Sequence, residues 1–335
     1  MFSKPYRSVV LALLLLLLGP AGVHAAATIV IQVSDAAGEG FNDPTAVAPV
    51  TGNPGVTLGA QRLNAFLAAA GFWGLFIDSA VTIVVDAAMD PLACQVNGAV
   101  LGSAGPNFLY QNLPNAPLPN TWFPDALADA LAGADLTAAP DINATFNSDI
   151  DNSCFGGGVW WYGIGAPPPM VGQPDYFSTV LHEIGHGLGF ADLVNEGTGM
   201  MFMDDPDVFI TFLEDHGLGL TWPTMTNMQR ANSAIDSGDL HWVGANVLAS
   251  TSILSQGVSG GHVRMYAPNP LEPGSSVAHW DTVLFPHELM EPIATDTYSF
   301  VLTNQLFRDI GWTVSGIFFD GFESGDVSLW SSASP

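Results

Sequence analysis

Residues 181–190 read LHEIGHGLGF, and the spacing of histidine, glutamate and glycine in this stretch indicates both a fold and a site. Residues four apart lie on one face of an α-helix, so His182 and His186 can direct two imidazoles at one metal ion. Glu183 lies one position further round the helix, where its carboxylate can reach a zinc-bound water. Zinc lowers the pKa of such a water to about 7, so Glu183 can take its proton as a general base. The pattern predicts a hydrolytic zinc centre on a helix.

Such a centre needs a third protein ligand, and two residues compete for that role. The run from His182 continues as HExxHxxGxxD, which ends on Asp192. A carboxylate can ligate zinc, so Asp192 is chemically acceptable. The second candidate is His279, which lies far downstream in the segment GSSVAHWD. Coordination chemistry alone leaves both residues open.

Two downstream motifs follow the histidine helix in an order that resembles one protein family. Residues 276–280 read SVAHW and residues 288–292 read ELMEP. Together with the helix, these segments resemble the leishmanolysin branch of the metzincin zinc metalloproteases, and the resemblance covers residues 176–312. It favours a histidine as the third ligand. It implies that His182, His186 and His279 bind zinc and that Glu183 is the catalytic base. It also implies that Met290 forms a methionine turn beneath the metal.

The same resemblance implies an α+β fold with two lobes in residues 28–314. The N-terminal lobe, residues 28–190, is expected to hold a twisted mixed sheet and the active-site helix. The C-terminal lobe, residues 191–314, is expected to be mainly helical or irregular. Hydrophobic patterns predict strands at 28–33, 80–85, 142–146, 159–164 and 263–266, and helices at 58–72, 125–132, 176–190, 206–213, 225–235 and 299–310.

The first residues have the layout of a secretory signal peptide. Lys4 and Arg7 precede the apolar run at 9–18, and small residues before position 28 offer a cleavage site. The run is shorter than the roughly 20 residues that span a bilayer, although an uncleaved anchor is the alternative. We therefore expect a signal peptide at 1–27 and a secreted, extracellular or periplasmic protein without a membrane span in its mature chain.

The chain contains two cysteines, Cys94 and Cys154. An even number of cysteines in an exported protein is typical of disulfide pairing. Neither residue lies in a motif for a catalytic thiol, and their wide separation is unlike a zinc knuckle. We expect one disulfide between them.

Residues 315–335 form a C-terminal tail that contains DGFESGD and a later tryptophan. The tail resembles a short ending that recurs on diverse exported bacterial proteins, and this resemblance implies a bacterial source. A sorting or docking role and a poorly ordered extension are both open.

The charge balance is strongly acidic. The chain has 6 Lys+Arg against 32 Asp+Glu, a net charge of −26. Without Lys4 and Arg7, 4 arginines face the same 32 acidic residues and the net charge is −28. Phosphate-backbone recognition requires clustered basic residues, so nucleic acid is excluded as a main partner. Binding to anionic membrane surfaces is disfavoured for the same reason.

Two acidic stretches, residues 35–43 and 204–207, raise the question of structural calcium. Calcium takes six to eight oxygen ligands, which short aspartate-rich loops can supply. A helix beginning after Asp205-Pro206 would explain the second stretch equally well, because acidic residues cap helix N-termini. Structural Ca²⁺ therefore stays an alternative, whereas Zn²⁺ is the expected cofactor.

These patterns predict a secreted zinc endopeptidase whose partner is a protein or peptide substrate. Two other functions remain open: a catalytically silent binding or adhesion protein on the same scaffold, and a zinc hydrolase that acts on a non-peptide bond. The presence of Glu183 and both helix histidines disfavours the silent protein. The sequence indicates neither the cleaved bond nor the oligomeric state.

Overall fold

The described part of the chain has a mixed α+β architecture, with two larger open sheets, two two-stranded sheets and six α-helices. The computed structural model describes residues 26–152, 154, 156–295 and 297–314. The predicted signal peptide lies outside these residues except for its last two positions, and the predicted tail lies outside them entirely. Within the described ranges, no helix is both long enough and apolar enough to cross a bilayer.

In chain order the strands are β1 (Ile29–Val33), β2 (Ile83–Asp90), β3 (Cys94–Gln95), β4 (Gly98–Ala99), β5 (Gly102–Pro106), β6 (Leu109–Tyr110), β7 (Phe123–Pro124), β8 (Ile142–Asn147), β9 (Leu213–Asp215), β10 (Leu220–Thr221), β11 (Leu240–Trp242), β12 (Val258–Ser259) and β13 (His262–Arg264). The helices are α1 (Leu58–Phe76), α2 (Asp125–Ala132), α3 (Tyr176–Gly187), α4 (Asn227–Ser233), α5 (Ala245–Ser250) and α6 (Val301–Ile310).

The first sheet has the order β1-β2-β8-β5. The three strands β1, β2 and β8 are parallel, and β5 pairs with β8 in the antiparallel direction. Phe146 on β8 packs edge-on against Phe66 of α1 and Tyr176 of α3. Both helices therefore cover the same face of the sheet, which fixes α3 beside strands β8 and β5.

The helix α3 begins and ends where the sequence provides capping residues. The Asp175 carboxylate accepts a hydrogen bond from the Phe177 backbone N–H at 3.2 Å, which caps the N-terminus. Gly189 adopts a φ of 120°, a value that side chains disfavour, and the chain leaves the helix there. The indole of Trp73 on α1 donates to the Leu181 carbonyl at 2.9 Å and ties the two helices together.

The second sheet is antiparallel, with the order β10-β9-β11-β13-β12. The prediction of a mainly helical or irregular region at 191–314 did not anticipate this sheet, although the predicted strand at 263–266 overlaps β13. The predicted helix at 206–213 is wrong: residues Ile210–Phe212 form one 3-10 turn, and Leu213 enters β9. The predicted strand at 159–164 is also wrong, because only Trp161 pairs there, through an isolated bridge to Asp175.

The disulfide prediction is confirmed. Cys94 and Cys154 are bonded, with their Cα atoms 5.9 Å apart. The bond joins β3 to the loop that follows β8, next to the first sheet. The bond therefore closes a covalent loop, residues 94–154, that contains strands β5 and β8.

Candidate metal centre

Three histidine nitrogens converge at the end of α3. The Nε2 atom of His182 lies 3.0 Å from that of His186 and 3.1 Å from that of His279. The remaining pair, His186 and His279, has its Nε2 atoms 3.2 Å apart. The structure thus groups the two helix histidines with the distant third histidine, and these residues could hold a metal ion.

The opposite nitrogen of each imidazole hydrogen-bonds to a backbone carbonyl. The Nδ1 atoms of His182, His186 and His279 lie 2.9, 2.7 and 2.8 Å from the carbonyl oxygens of Leu289, Phe190 and Ser275. A carbonyl oxygen can only accept, so each Nδ1 carries the hydrogen and each Nε2 of a neutral ring presents a lone pair. Three lone pairs that meet at such short distances repel one another unless a cation lies between them.

The rings are held in the neutral state that metal binding requires. Burial lowers the pKa of each imidazole, and for His186 and His279 the neighbouring imidazoles add to the effect. The pKa of His186 falls to about 3. His279 is 3% exposed, whereas His182 and His186 keep a partly exposed edge that leaves an approach from solvent.

Met290 packs against the turn of α3 that lies between the two helix histidines. A Cβ atom added to Gly185 would lie 2.7 Å from the Met290 Sδ, so glycine is required for this approach. Met290 is fully buried, and the carbonyl of its neighbour Leu289 receives the His182 Nδ1–H. The methionine segment therefore supports the helix histidines from one side.

His279 reaches the site because its segment pairs with the end of the second sheet. The Tyr266 N–H donates to the His279 carbonyl at 2.9 Å, and the Val277 N–H donates to the Tyr266 carbonyl at 2.7 Å. Trp280, fully buried, packs edge-on against Phe190 beyond the end of α3. The strand β13 thus continues into the backbone that positions the third histidine.

Glu183 lies buried between α3 and the edge strand β5. A Cβ atom on Gly102 would come within 2.8 Å of the Glu183 Cγ, so this glycine makes room for the carboxylate. Burial raises the pKa of Glu183 to about 8, and a hydrogen bond with the Ala104 backbone acts in the opposite direction. The arrangement holds a basic carboxylate next to His182, one of the three histidines that could bind the metal.

Asp192, the competing third ligand, is not part of this group. Its carboxylate accepts a hydrogen bond from the Val194 backbone N–H at 3.0 Å. Burial raises its pKa well above the usual range, and the nearby charges of Asp207 and Glu196 add to the rise. The geometry therefore gathers His279, and not Asp192, with the two helix histidines.

Two further groups in the described residues could hold a metal ion, and sequence reasoning singled out neither. One contains Glu214, His216 and His262, and the other contains the buried residues Asp125, Asp129 and Asp141. The i, i+4 spacing of the two aspartates on α2 was the one available signal for the second group. The histidines of the first group are 46 residues apart, so no local motif connects them.

The two acidic stretches considered for calcium have backbone partners instead. The Asp35 carboxylate accepts hydrogen bonds from the backbone N–H groups of Phe41 and Met89. The Asp207 carboxylate accepts from those of Leu193 and Ile210. In the part of the chain that is described, neither stretch contributes to a group of three metal-ligand candidates.

No protein-family model, no curated protein and no solved structure matches this chain. The site must therefore be interpreted from its own geometry and from the three motifs that form it.

Proposed function

We propose that this protein is a secreted zinc-dependent endopeptidase of the metzincin type, similar to the leishmanolysin branch. One observation carries the proposal: three Nε2 lone pairs converge, with their Nδ1–H groups fixed on carbonyls, one helix position from the buried carboxylate of Glu183. A site of three histidines and a nearby carboxylate outside the ligand set suits hydrolysis that uses a metal-activated water.

Zinc is the ion that fits this donor set best. Three imidazoles with an open fourth position are typical of catalytic zinc, whereas calcium and magnesium prefer oxygen ligands. Zn–N bonds of about 2.0–2.1 Å in a tetrahedral arrangement separate the nitrogens by about 3.3 Å. The distances of 3.0–3.2 Å between the Nε2 atoms are close to this value.

The chemistry divides between the metal and Glu183. A zinc ion held by His182, His186 and His279 would supply an acidified water and would polarise the substrate carbonyl group. Glu183 accepts the proton of the attacking water at its carboxylate and delivers that proton to the leaving amine nitrogen. Burial raises the pKa of Glu183, which strengthens the carboxylate as a proton acceptor. The Ala104 backbone and the space at Gly102 position the carboxylate for both steps.

A peptide fits the surface beside this site. Among the described residues, β5 pairs with no strand but β8 in its sheet, so its other edge is unpaired apart from the Ala104 backbone group that bonds to Glu183. An extended peptide can add to such an edge through backbone hydrogen bonds. Gly102 lies in β5 against Glu183, so an added strand would run past the reacting groups. This geometry favours a peptide bond over a non-peptide bond as the target.

In this proposal, residues 28–314 form the catalytic domain. Its two lobes, 28–190 and 191–314, each contain one of the two larger sheets. The helix with two histidines follows the first sheet, and the third histidine follows the second. The disulfide supports export to an oxidising compartment. Cleavage of the signal peptide near residue 27 and a sorting or docking role of residues 315–335 in a bacterial host complete the proposal.

Substitution of Glu183→Gln tests the reaction directly. We expect the variant to bind zinc like the parent protein and to lose at least about 100-fold in cleavage of casein and of a quenched fluorescent peptide. Chelation should abolish the parent activity, and added zinc should restore it. The matched control is Glu39→Gln, because the Glu39 side chain is exposed and accepts a hydrogen bond from the Ala36 backbone N–H, away from the histidines.

The alternatives give different results in the same assay. A binding or adhesion protein would contain zinc but cleave no peptide. A hydrolase for another bond would cleave ester or amide model substrates, with dependence on Glu183, while leaving casein intact. Full peptidase activity in Glu183→Gln would refute the proposed mechanism.

A further inference from the structure

The second sheet carries a histidine-rich cluster away from the three converging histidines. The Nε2 atom of His216 lies 2.8 Å from the Nδ1 atom of His262. The Glu214 Oε1 atom lies 3.6 Å from the first of these nitrogens and 3.9 Å from the second. Bonds of about 2.0–2.2 Å around one tetrahedral zinc ion place donor atoms roughly 3.3–3.6 Å apart. The separations of 2.8, 3.6 and 3.9 Å lie on either side of this range, so small movements of the side chains would let one ion bind all three.

We infer that Glu214, His216 and His262 form a second Zn²⁺ site, which joins strand β9 to the β12–β13 hairpin. Two imidazoles and one carboxylate suit a late transition-metal ion and not calcium or magnesium. The inference is independent of the proposed peptidase function, since it depends on none of the residues of the first site.

The sheet register brings these side chains to one face. Glu214 pairs with His241 across β9 and β11, and His241 pairs with Arg264 across β11 and β13. Cross-strand partners point to the same face of a sheet, as do residues two apart along a strand. His216 therefore shares the face of Glu214, and His262 shares that of Arg264.

The hairpin turn positions His262 tightly. Ser259 pairs with His262, so Gly260 and Gly261 alone form the turn, with φ values of 59° and 88°. Positive φ at both central residues defines a type I′ turn, which glycine accommodates without strain. A Cβ on Gly260 would lie 3.4 Å from the His216 ring, so the turn packs directly against the other ligand.

His241 fixes the orientation of the His216 ring. The two imidazoles are stacked, with ring centroids 3.6 Å apart and planes 15° from parallel. His241 is fully buried, and its Nδ1 is 2.8 Å from the Asp239 carbonyl. The His216 backbone N–H donates to the same carbonyl at 2.8 Å. Such fixed neighbours hold metal ligands in place.

Solvent can reach the cluster, and its charge favours a cation. The side chains of Glu214, His216 and His262 are 29%, 20% and 27% exposed, which allows the ion to enter and leaves a position for water. Arg264, the cross-strand partner of His241, pairs with Asp281 at 2.7 Å, so its charge is already balanced. A bound cation would balance Glu214 in the same way.

The second site is connected to the first through the backbone. After β13 the chain reaches Met265, which forms a bridge with Trp280, and Tyr266, which hydrogen-bonds to His279. Zinc bound at the second site would restrain β13, and so would restrain the segment that holds His279 in place. We therefore expect it to stabilise this half of the molecule.

Metal counting on the full protein tests the inference. After zinc loading and removal of free metal, mass spectrometry of the native protein should give two zinc ions per chain. His262→Gln and, separately, Glu214→Gln should give one, with unchanged circular dichroism. The control His287→Gln should still give two, because His287 pairs with Glu291 outside the cluster.

A variant of the first site separates the two proposals. The double variant His182→Ala/His186→Ala should retain one zinc ion, and zinc should still raise its Tm. Adding His262→Gln to that variant should remove both effects. One zinc ion in the parent protein that survives in His262→Gln, or none in the double variant, would overturn the second site. A parent protein that binds two zinc ions but has no peptidase activity would instead count against the proposed function.

Discussion

The backbone N–H of Trp280 donates to the carbonyl oxygen of Met290 at 2.9 Å. This bond joins the segment that carries His279 to the segment that carries the buried methionine. Met290 also packs against Gly185 of α3. The methionine segment therefore contacts both the histidine helix and the segment that carries His279. The three motifs, separated by up to a hundred residues in the sequence, therefore form one structural unit.

Loss of His279 should remove zinc from this unit, whereas loss of Asp192 should not. His279→Ala deletes one of three converging nitrogens, and we expect its zinc content at the first site to fall to near zero. Asp192→Asn should retain the metal, because its carboxylate bonds to the Val194 N–H away from the histidines. Zinc analysis in the His262→Gln background would restrict the count to the first site. Retention in His279→Ala with loss in Asp192→Asn would reverse the assignment.

Gly102→Ala should impair catalysis without removing the metal. The new methyl group would come within 2.8 Å of the Glu183 Cγ and shift the carboxylate, so we expect kcat to fall about 10- to 100-fold with little change in zinc content. Gly105→Ala on the same strand is the matched control, because a Cβ there has no atom within 4 Å. Equal activity of the two variants would show that the position of Glu183 is not limiting.

Gly185→Ala should destabilise the protein by displacing Met290. The added methyl would lie 2.7 Å from the methionine sulfur, and such overpacking costs about 1–3 kcal/mol. The control Gly71→Ala, in α1, has open space at its Cβ and should be neutral or stabilising by up to about 1 kcal/mol. Urea unfolding monitored by tryptophan fluorescence measures both changes. A parent-like midpoint for Gly185→Ala would mean that Met290 can move without loss.

Asp125→Asn should stabilise the protein at pH 8 more than at pH 5. Burial raises the pKa of Asp125 to about 7, and the charges of Asp141 and Asp129 add to the rise. Its unfolded pKa is about 3.9, so the stabilising contribution is full below pH 4 and is lost as the pH rises through 7. Both of its carboxylate oxygens are buried without a hydrogen-bond partner in the structure, which makes the ionised form costly.

We expect Asn at this position to raise the free energy of unfolding by about 2–4 kcal/mol at pH 8 and by much less at pH 5. Thermal unfolding in calcium-free buffer provides the measurement. An equal shift at both pH values would contradict the raised pKa. If added calcium at pH 8 raised the Tm of the parent protein but not of the variant, a cation would be neutralising the three aspartates in place of protons.

The elements with strong local signals were predicted well from the sequence. The helix at 125–132 has the predicted bounds, and the helix with both histidines begins at Tyr176 as expected. The disulfide followed from an even cysteine count in a chain that was expected to be exported. The two helices are specified by residues that are close together in the sequence. The disulfide is specified by the presence of two cysteines, which can pair in one way.

Of the second sheet, β13 was predicted, as the strand at 263–266. The other four strands escaped prediction because they have only two or three residues. Alternation of polar and apolar residues cannot be recognised over so short a length. Glu214, His216 and His262 were missed for the same reason, since only the register across β11 brings them together. The aromatic run at 159–164 predicted a strand, but Trp160 and Tyr162 instead pack around Tyr176. The backbone of this run bonds to side chains and to scattered residues and not to a neighbouring strand.

The imidazoles of the first site take their orientation from main-chain carbonyls of residues 190, 275 and 289. A carbonyl is present whatever side chain the residue carries, so these supports survive amino-acid replacement as long as the path of the backbone is kept. Most side chains around such a centre can therefore be replaced during evolution without a change in the orientation of the three imidazoles. Distant descendants of one ancestor could share the geometry of this site while their sequences retain only the histidines, the glutamate and the glycines that the fold requires.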